Sequence, residues 1–239
     1  IVLFFPSNFL VYFLALISGL SFWEFLKIRF SNLITFTSLL IFICLIFVAH
    51  FPFFNNLFIT LSVLIYAIAC IFILSFPLNK TFLKNSLTWL FIGFSIHLGF
   101  FASVFQIIST DPLSSLSLNF NNDRLFILYV VLISVLMDSI AFFVGKNFGK
   151  RPFINNVSPN KTMEGFLSAV TIAPIFLLLT SSQAFELPII LVFIVLSLVS
   201  IFSVNGDAVA SLMKRVVEVK DYSNPVSYTH LTLPTILLV

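Results

Sequence analysis

Two groups of polar side chains interrupt an otherwise apolar chain, and their types are those that hold phosphates and divalent cations. The first runs from Asp138 through Gly145, Lys146, Gly149 and Lys150 and resumes as Ser158-Pro159-Asn160-Lys161-Thr162-Met163-Glu164-Gly165. The second is Asn205-Gly206-Asp207 followed by Ser211, Lys214-Arg215 and Lys220-Asp221. Carboxylates are hard oxygen ligands for a cation such as magnesium, while Lys and Arg meet phosphate oxygens. On one continuing helix, Ser211, Lys214 and Asp221 follow Asp207 by four, seven and fourteen residues, which places all four on one face. Ser158-Pro159 reads as an N-cap with proline at the first helical position, so a helix is expected to begin there with Lys161 and Thr162 in its first turn. The free N–H groups of that turn would make an anion site.

The elements that must position these groups are membrane helices. Of 239 residues 60% are apolar, 17% aromatic and only 9% charged, and the mean hydropathy is +1.15, which excludes a soluble globular domain. The formal charge of +3 is small, so the sequence pI near 9.0 gives no reason to expect nucleic acid as a partner. Seven apolar stretches are long enough to cross a hydrocarbon core of about 30 Å: Phe9 to Ile28, Leu33 to Phe51, Leu57 to Phe76, Ser86 to Ile107, Leu125 to Val144, Phe166 to Thr180 and Leu187 to Val204. The sixth is short, and Pro174 and Pro188 interrupt the nearly continuous apolar run that it shares with the seventh. Backbone groups in lipid must pair internally and the runs lack barrel alternation, so the fold class is all-α, a polytopic bundle of about seven transmembrane helices.

The seven spans place eleven of the twelve Lys and Arg on one side and only Arg124 on the other, which makes the cation-rich loops cytoplasmic. Glu24, Asp138, Glu164, Asp207, Glu218 and Asp221 gather at that same face. Asp138 lies about 20 Å along its helix from Leu125 and is still at or inside the membrane, where an unanswered carboxylate costs up to about 2.5–3.5 kcal/mol. A cation or metal is expected to answer it. Glu24 beside Trp23 reads as an interfacial residue, His50 and His97 stand apart with no ligand near them, and Cys44 and Cys70 read as inert packing.

Taken together these residues resemble the phosphatidate cytidylyltransferases, also called CDP-diacylglycerol synthases. That family carries Asp, Ala, an aromatic residue and Gly ahead of Ser-Pro-x-Lys-Thr-x-Glu-Gly, matched by Asp138, Ala141, Phe142, Gly145 and Ser158 through Gly165. Its signature Ser-x-x-Lys-Arg, four residues, Lys-Asp is matched by Ser211, Lys214, Arg215, Lys220 and Asp221, with Gly206-Asp207 before it. The likeness extends from Trp23 to about Asn224. There it breaks: the family continues into Pro-Gly-His-Gly-Gly and Asp-Arg-x-Asp, and this chain does not, so a second acidic metal ligand is missing and activity of this chain is put in doubt. Val226 to Thr235 resembles a reading frame of a sequencing adapter, so 225–239 is expected to be a non-native tail behind a membrane domain at 1–224. With Ile1 in place of Met, the chain reads as a fragment, and no signal peptide is recognised.

The resemblance implies transfer of a cytidylyl group from CTP to phosphatidate, giving CDP-diacylglycerol and pyrophosphate, at the cytoplasmic face of a bacterial inner membrane. It implies Mg2+ held with the help of Asp207, phosphate contacts from Lys214 and Arg215, and a second phosphate bound by Ser158, Lys161 and Thr162. Ser211 and Lys220 would bind substrate, Asp221 would serve catalysis, and Asp138 would orient a lysine or a metal-bound water. The resemblance leaves a homodimer open. A CTP-dependent polyprenol or phytol kinase and a small-solute transporter are the competing readings. A transporter should instead place its charges near the midplane on paired broken helices.

Overall fold

The computed structural model describes residues 7–109, 123–181 and 189–218. Among these the chain forms α1 (Ser7–Lys27), α2 (Asn32–Val48), α3 (Pro52–Ser75), the single turn α4 (Lys80–Leu83), α5 (Ser86–Ser109) and α6 (Asp123–Phe148). A hairpin follows, of β1 (Pro152–Ile154) and β2 (Ser158–Thr162), and then α7 (Met163–Ser181) and α8 (Ile189–Val216). Five of the described helices are long and apolar enough to cross a membrane, and α2 and α7 are shorter apolar helices at the two remaining expected positions. The chain is an all-α, multi-pass membrane protein.

Helix ends follow the local chemistry. Pro52 opens α3 five residues ahead of the expected start, because proline at the first position gives up an N–H that would be unpaired anyway. Pro174 sits inside α7 without ending it, as membrane helices tolerate when neighbours absorb the freed carbonyl. The last helix runs twelve residues beyond its expected end at Val204. Its 28 residues reach about 42 Å at 1.5 Å per residue, so its final turns carry Lys214 and Arg215 clear of the apolar span.

Among the described residues two large cores hold the bundle, beside a small cluster of Leu10, Phe100 and Val104. The larger gathers α1, α2, α3 and α5 with the final turns of α8. Phe22 is at its centre, with ring centroids 4.6 Å from Phe42, 4.7 Å from Phe94 and 5.5 Å from His97. His97 is a buried structural link: Nδ1 lies 2.8 Å from the Gly93 carbonyl, Nε2 3.1 Å from Ser21 Oγ, and its own carbonyl accepts from Ser18. The smaller core packs Ile133 and Met137 of α6 against Ala169, Ala173 and Leu177 of α7 and Val192, Leu196 and Val204 of α8. α8 therefore belongs to both.

The cation-bearing turns meet at one end of the bundle, as the charge pattern requires. Lys80 and Lys84 lie 2.7 and 3.6 Å from the Glu218 carboxylate. Asn156 donates to the Phe76 carbonyl at 3.1 Å, and Arg215 Nε donates to the Val157 carbonyl at 3.1 Å.

Near that end α6 crosses α7 through glycine. A Cβ on Gly165 would stand 2.6 Å from the Ala141 carbonyl oxygen and 3.2 Å from the Gly145 Cα. A Cβ on Gly149 would stand 2.5 Å from the Thr162 methyl, so three glycines wall the notch that holds Thr162. Gly165→Ala is expected to push α6 from α7 and destabilise the protein by about 1–3 kcal/mol, read as a lowered thermal unfolding temperature in detergent; an unchanged temperature would refute the crossing.

Candidate functional site

Asp138 and Asp207 reach one cleft of about 520 Å³ from two different helices, α6 and α8. Lys161, delivered by β2, closes an ion pair with Asp207, both side chains being partly buried at 26% and 34% exposed. Asp138 lies within reach of both charges. Lys146, Asn160 and Thr162 complete the polar wall, and Phe142, Phe153 and Phe166 line the remainder, Phe153 and Phe166 stacked with centroids 4.4 Å apart. One wall can take phosphate and cation; the other suits hydrocarbon. The cleft is thus lined by two aspartates and two lysines, Lys161 being the one paired with Asp207.

The Ser158-Pro159 turn does not start a helix. Ser158–Thr162 is a strand antiparallel to Pro152–Ile154, with Ile154 opposite Ser158, Pro152 opposite Thr162 and an irregularity between. The N-cap is Thr162, whose Oγ1 accepts the Gly165 N–H at 3.2 Å and so satisfies a donor of the first turn of α7. Pro159 is tolerated in a two-stranded ribbon, where a missing N–H need not break a ladder bond. Lys161 therefore enters the cleft from a strand, and Ser158, opposite Ile154, is not among the residues lining it. The expected four-residue stripe is also shortened. Asp207, Ser211 and Lys214 share a face of α8, but the helix ends at Val216, and Glu218 beyond it has φ 63°. Lys220, Asp221 and 225–239 lie outside the described residues. Ser211 and Lys214 stand one and two turns beyond the cleft, and Arg215 spends its Nε on the hairpin.

The sequence model of the "Cytidylyltransferase family" matches residues 1–227. The chain belongs to that family. Among curated relatives, the phosphatidate cytidylyltransferase of Haemophilus influenzae is 33% identical over 168 residues, covering 66% of this chain and 56% of the relative. Those of Bacillus subtilis and Aquifex aeolicus are 37% and 40% identical over 100 and 87 residues, covering 41% and 36% of this chain and 37% and 32% of theirs. The chain thus spans between about a third and just over half the length of the curated relatives it matches.

Two features went unread in the sequence. Beyond Phe142, which the motif picks out, the aromatic wall of Phe153 and Phe166 is invisible in a chain with 33 Phe. Glu164 lies at the expected face, with no task legible in its sequence position. Its Oε2 accepts the backbone N–H of Lys150 at 3.0 Å and of Arg151 at 3.2 Å, tying the end of α6 to the start of α7.

Those N–H groups, Lys150 first, hold the Glu164 carboxyl below its ordinary value of 4.5. A depressed carboxylate stabilises the fold above its unfolded pKa, and that contribution is lost as pH falls through the folded value. Glu164→Gln should therefore unfold at a lower temperature than the unsubstituted protein at pH 7, the two converging as pH falls through the carboxyl's lowered folded value. A difference that persists unchanged across that range would show that the carboxylate is not what ties the turn.

Proposed function

We propose that this chain is the membrane body of a phosphatidate cytidylyltransferase, transferring a cytidylyl group from CTP to phosphatidate with release of pyrophosphate. The observation that carries the reading is the Lys161–Asp207 ion pair facing Asp138 in a cleft whose other wall is aromatic. A nucleotide can enter such a cleft from water and a lipid headgroup from the bilayer, its acyl chains passing Phe142, Phe153 and Phe166. Eleven of twelve cations fall on the cleft side of the seven spans, which supports a cytoplasmic site by the positive-inside rule. The bacterial relatives support an inner-membrane location.

In this reaction a phosphate oxygen of the lipid attacks the α-phosphorus of CTP. A new P–O–P bond forms, the bond to the β-phosphate oxygen breaks, and pyrophosphate carries away the electron pair. No covalent enzyme intermediate is needed, so the protein's work is alignment and charge neutralisation. Lys161 meets a phosphate oxygen when it leaves Asp207, and the Thr162 hydroxyl can donate to a second while its oxygen caps α7. Lys214 offers a further cation two turns along α8. Arg215 acts at one remove, holding the hairpin that carries Lys161.

Magnesium is compatible with the residues present. Among the described residues no group of three or more His, Cys, Asp or Glu could hold a metal. Mg2+ commonly takes only one or two carboxylates and completes its shell with phosphates and water, and hard oxygen donors suit it. Asp207, with Asp138 beside it, would hold the ion, which supplies charge neutralisation at the triphosphate.

In membranes carrying the whole protein, CTP-dependent conversion of phosphatidate is expected. Asp207→Asn should lower its rate by at least about 100-fold while leaving the amount of folded protein unchanged. Full activity in that variant would remove Asp207 from the machinery.

A further inference from the structure

One turn deeper than the two carboxylates, α6 and α8 are joined by a pair of hydroxyls. Ser134 Oγ and Ser203 Oγ lie 3.2 Å apart, both residues about 5% exposed. Each stands four residues before an aspartate: Ser134 before Asp138, Ser203 before Asp207. Four residues are one helical turn, about 6 Å of rise. The two helices therefore run in the same direction in matched register, hydroxyl facing hydroxyl at one level and carboxylate facing carboxylate at the next.

We propose that the Ser134–Ser203 hydrogen bond is a positioning pair for the cation site: it fixes the axial register of α6 against α8, and with it the relative placement of Asp138 and Asp207. This rests on the reading of those carboxylates given above. Each serine replaces an apolar residue that would pack the α6–α8 contact as well, since the surrounding core of Ile133, Met137, Leu196 and Val204 is apolar. What an apolar pair lacks is direction. Two smooth faces can slide along each other, whereas a hydroxyl pair held at one level resists sliding, because each would lose its partner in hydrocarbon. Ser200, one turn further down, is fully buried and its Oγ has no partner among the described residues, so it adds no polar tie at its own level. A slip of a fraction of a turn would separate the carboxylates along the axis while leaving the rest of the bundle packed.

The probe is Mg2+ alone, titrated against the whole protein in detergent with thermal unfolding as the readout, followed by the Mg2+ dependence of the rate. Ser134→Ala, Ser203→Ala and the double variant should each raise the half-maximal Mg2+ concentration by about 3–10-fold, less than the roughly 10–100-fold lost when a group bonded directly to a metal ligand is removed. The double variant should be no worse than either single one, because each breaks the same bond. Unfolding without metal should drop by only about 1–2 °C, as a membrane hydrogen bond is worth little in stability. Ser203→Thr, which keeps the hydroxyl, should restore the Mg2+ midpoint. If alanine impairs folding, Ser203→Cys, with a weaker donor, should give a smaller rise in the same direction. Unchanged midpoints in the alanine variants, or additive rises in the double variant, would overturn the pair while leaving the carboxylates in place. If Asp207→Asn leaves the Mg2+ response of the protein unchanged, the carboxylate reading itself falls, and the pair with it.

Discussion

A charged carboxylate at the edge of a hydrocarbon layer has to be answered, and the rest of this molecule is arranged around the answer. Asp207 emerges from an apolar helix and meets Lys161; Asp138, on a neighbouring helix, shares the same cation. Without that lysine two like charges would face each other beside lipid, at a cost that grows as water is excluded. The trio as it stands is one cation and two anions, with Lys146 lining the same cleft.

Placing a lysine there from outside the helices requires a device, and the hairpin is that device. It is short and has little core of its own. Its position is set by three ties to other elements: Arg215 to the Val157 carbonyl, Asn156 to the Phe76 carbonyl, and Glu164 to the N–H groups of Lys150 and Arg151. Thr162 then passes through the notch walled by Gly145, Gly149 and Gly165 into the first turn of α7. Each glycine is there because a methyl group would strike backbone or Thr162. The family signature thus divides into residues that face the cleft and residues that aim those residues.

Much of this was legible in the order of residues. Apolar length located the helices, because lipid leaves the backbone few alternatives. The charge asymmetry located the end of the bundle where the site would be, because eleven cations on one side are hard to reconcile with any other threading. Asp138, Lys161 and Asp207 were singled out, and they do meet. The Ser158-Pro159 turn was misread, because a Ser-Pro pair is equally at home before a helix and in a β-ribbon; the deciding interaction is the Thr162 cap, four residues on. The end of α8 was missed for a similar reason, since nothing in the Val216-Val217-Glu218 run is a helix breaker. Pairings between helices, such as Ser134 with Ser203 or Tyr66 with the Phe202 carbonyl, are set by tertiary register, which a single sequence does not display.

Because α8 closes both cores, the chain's synthesis has an ordering problem. The helices of the larger aromatic core up to α5 are made first, and Asp138 then enters the membrane 23 residues ahead of its lysine and 69 ahead of the aspartate that shares it. Until Lys161 follows, that carboxyl lacks the lysine that answers it in the finished fold. Only when α8 arrives, late in translation, does the second acid appear and the pair with Lys161 close. The charged site is therefore completed late, only once α8 has been made.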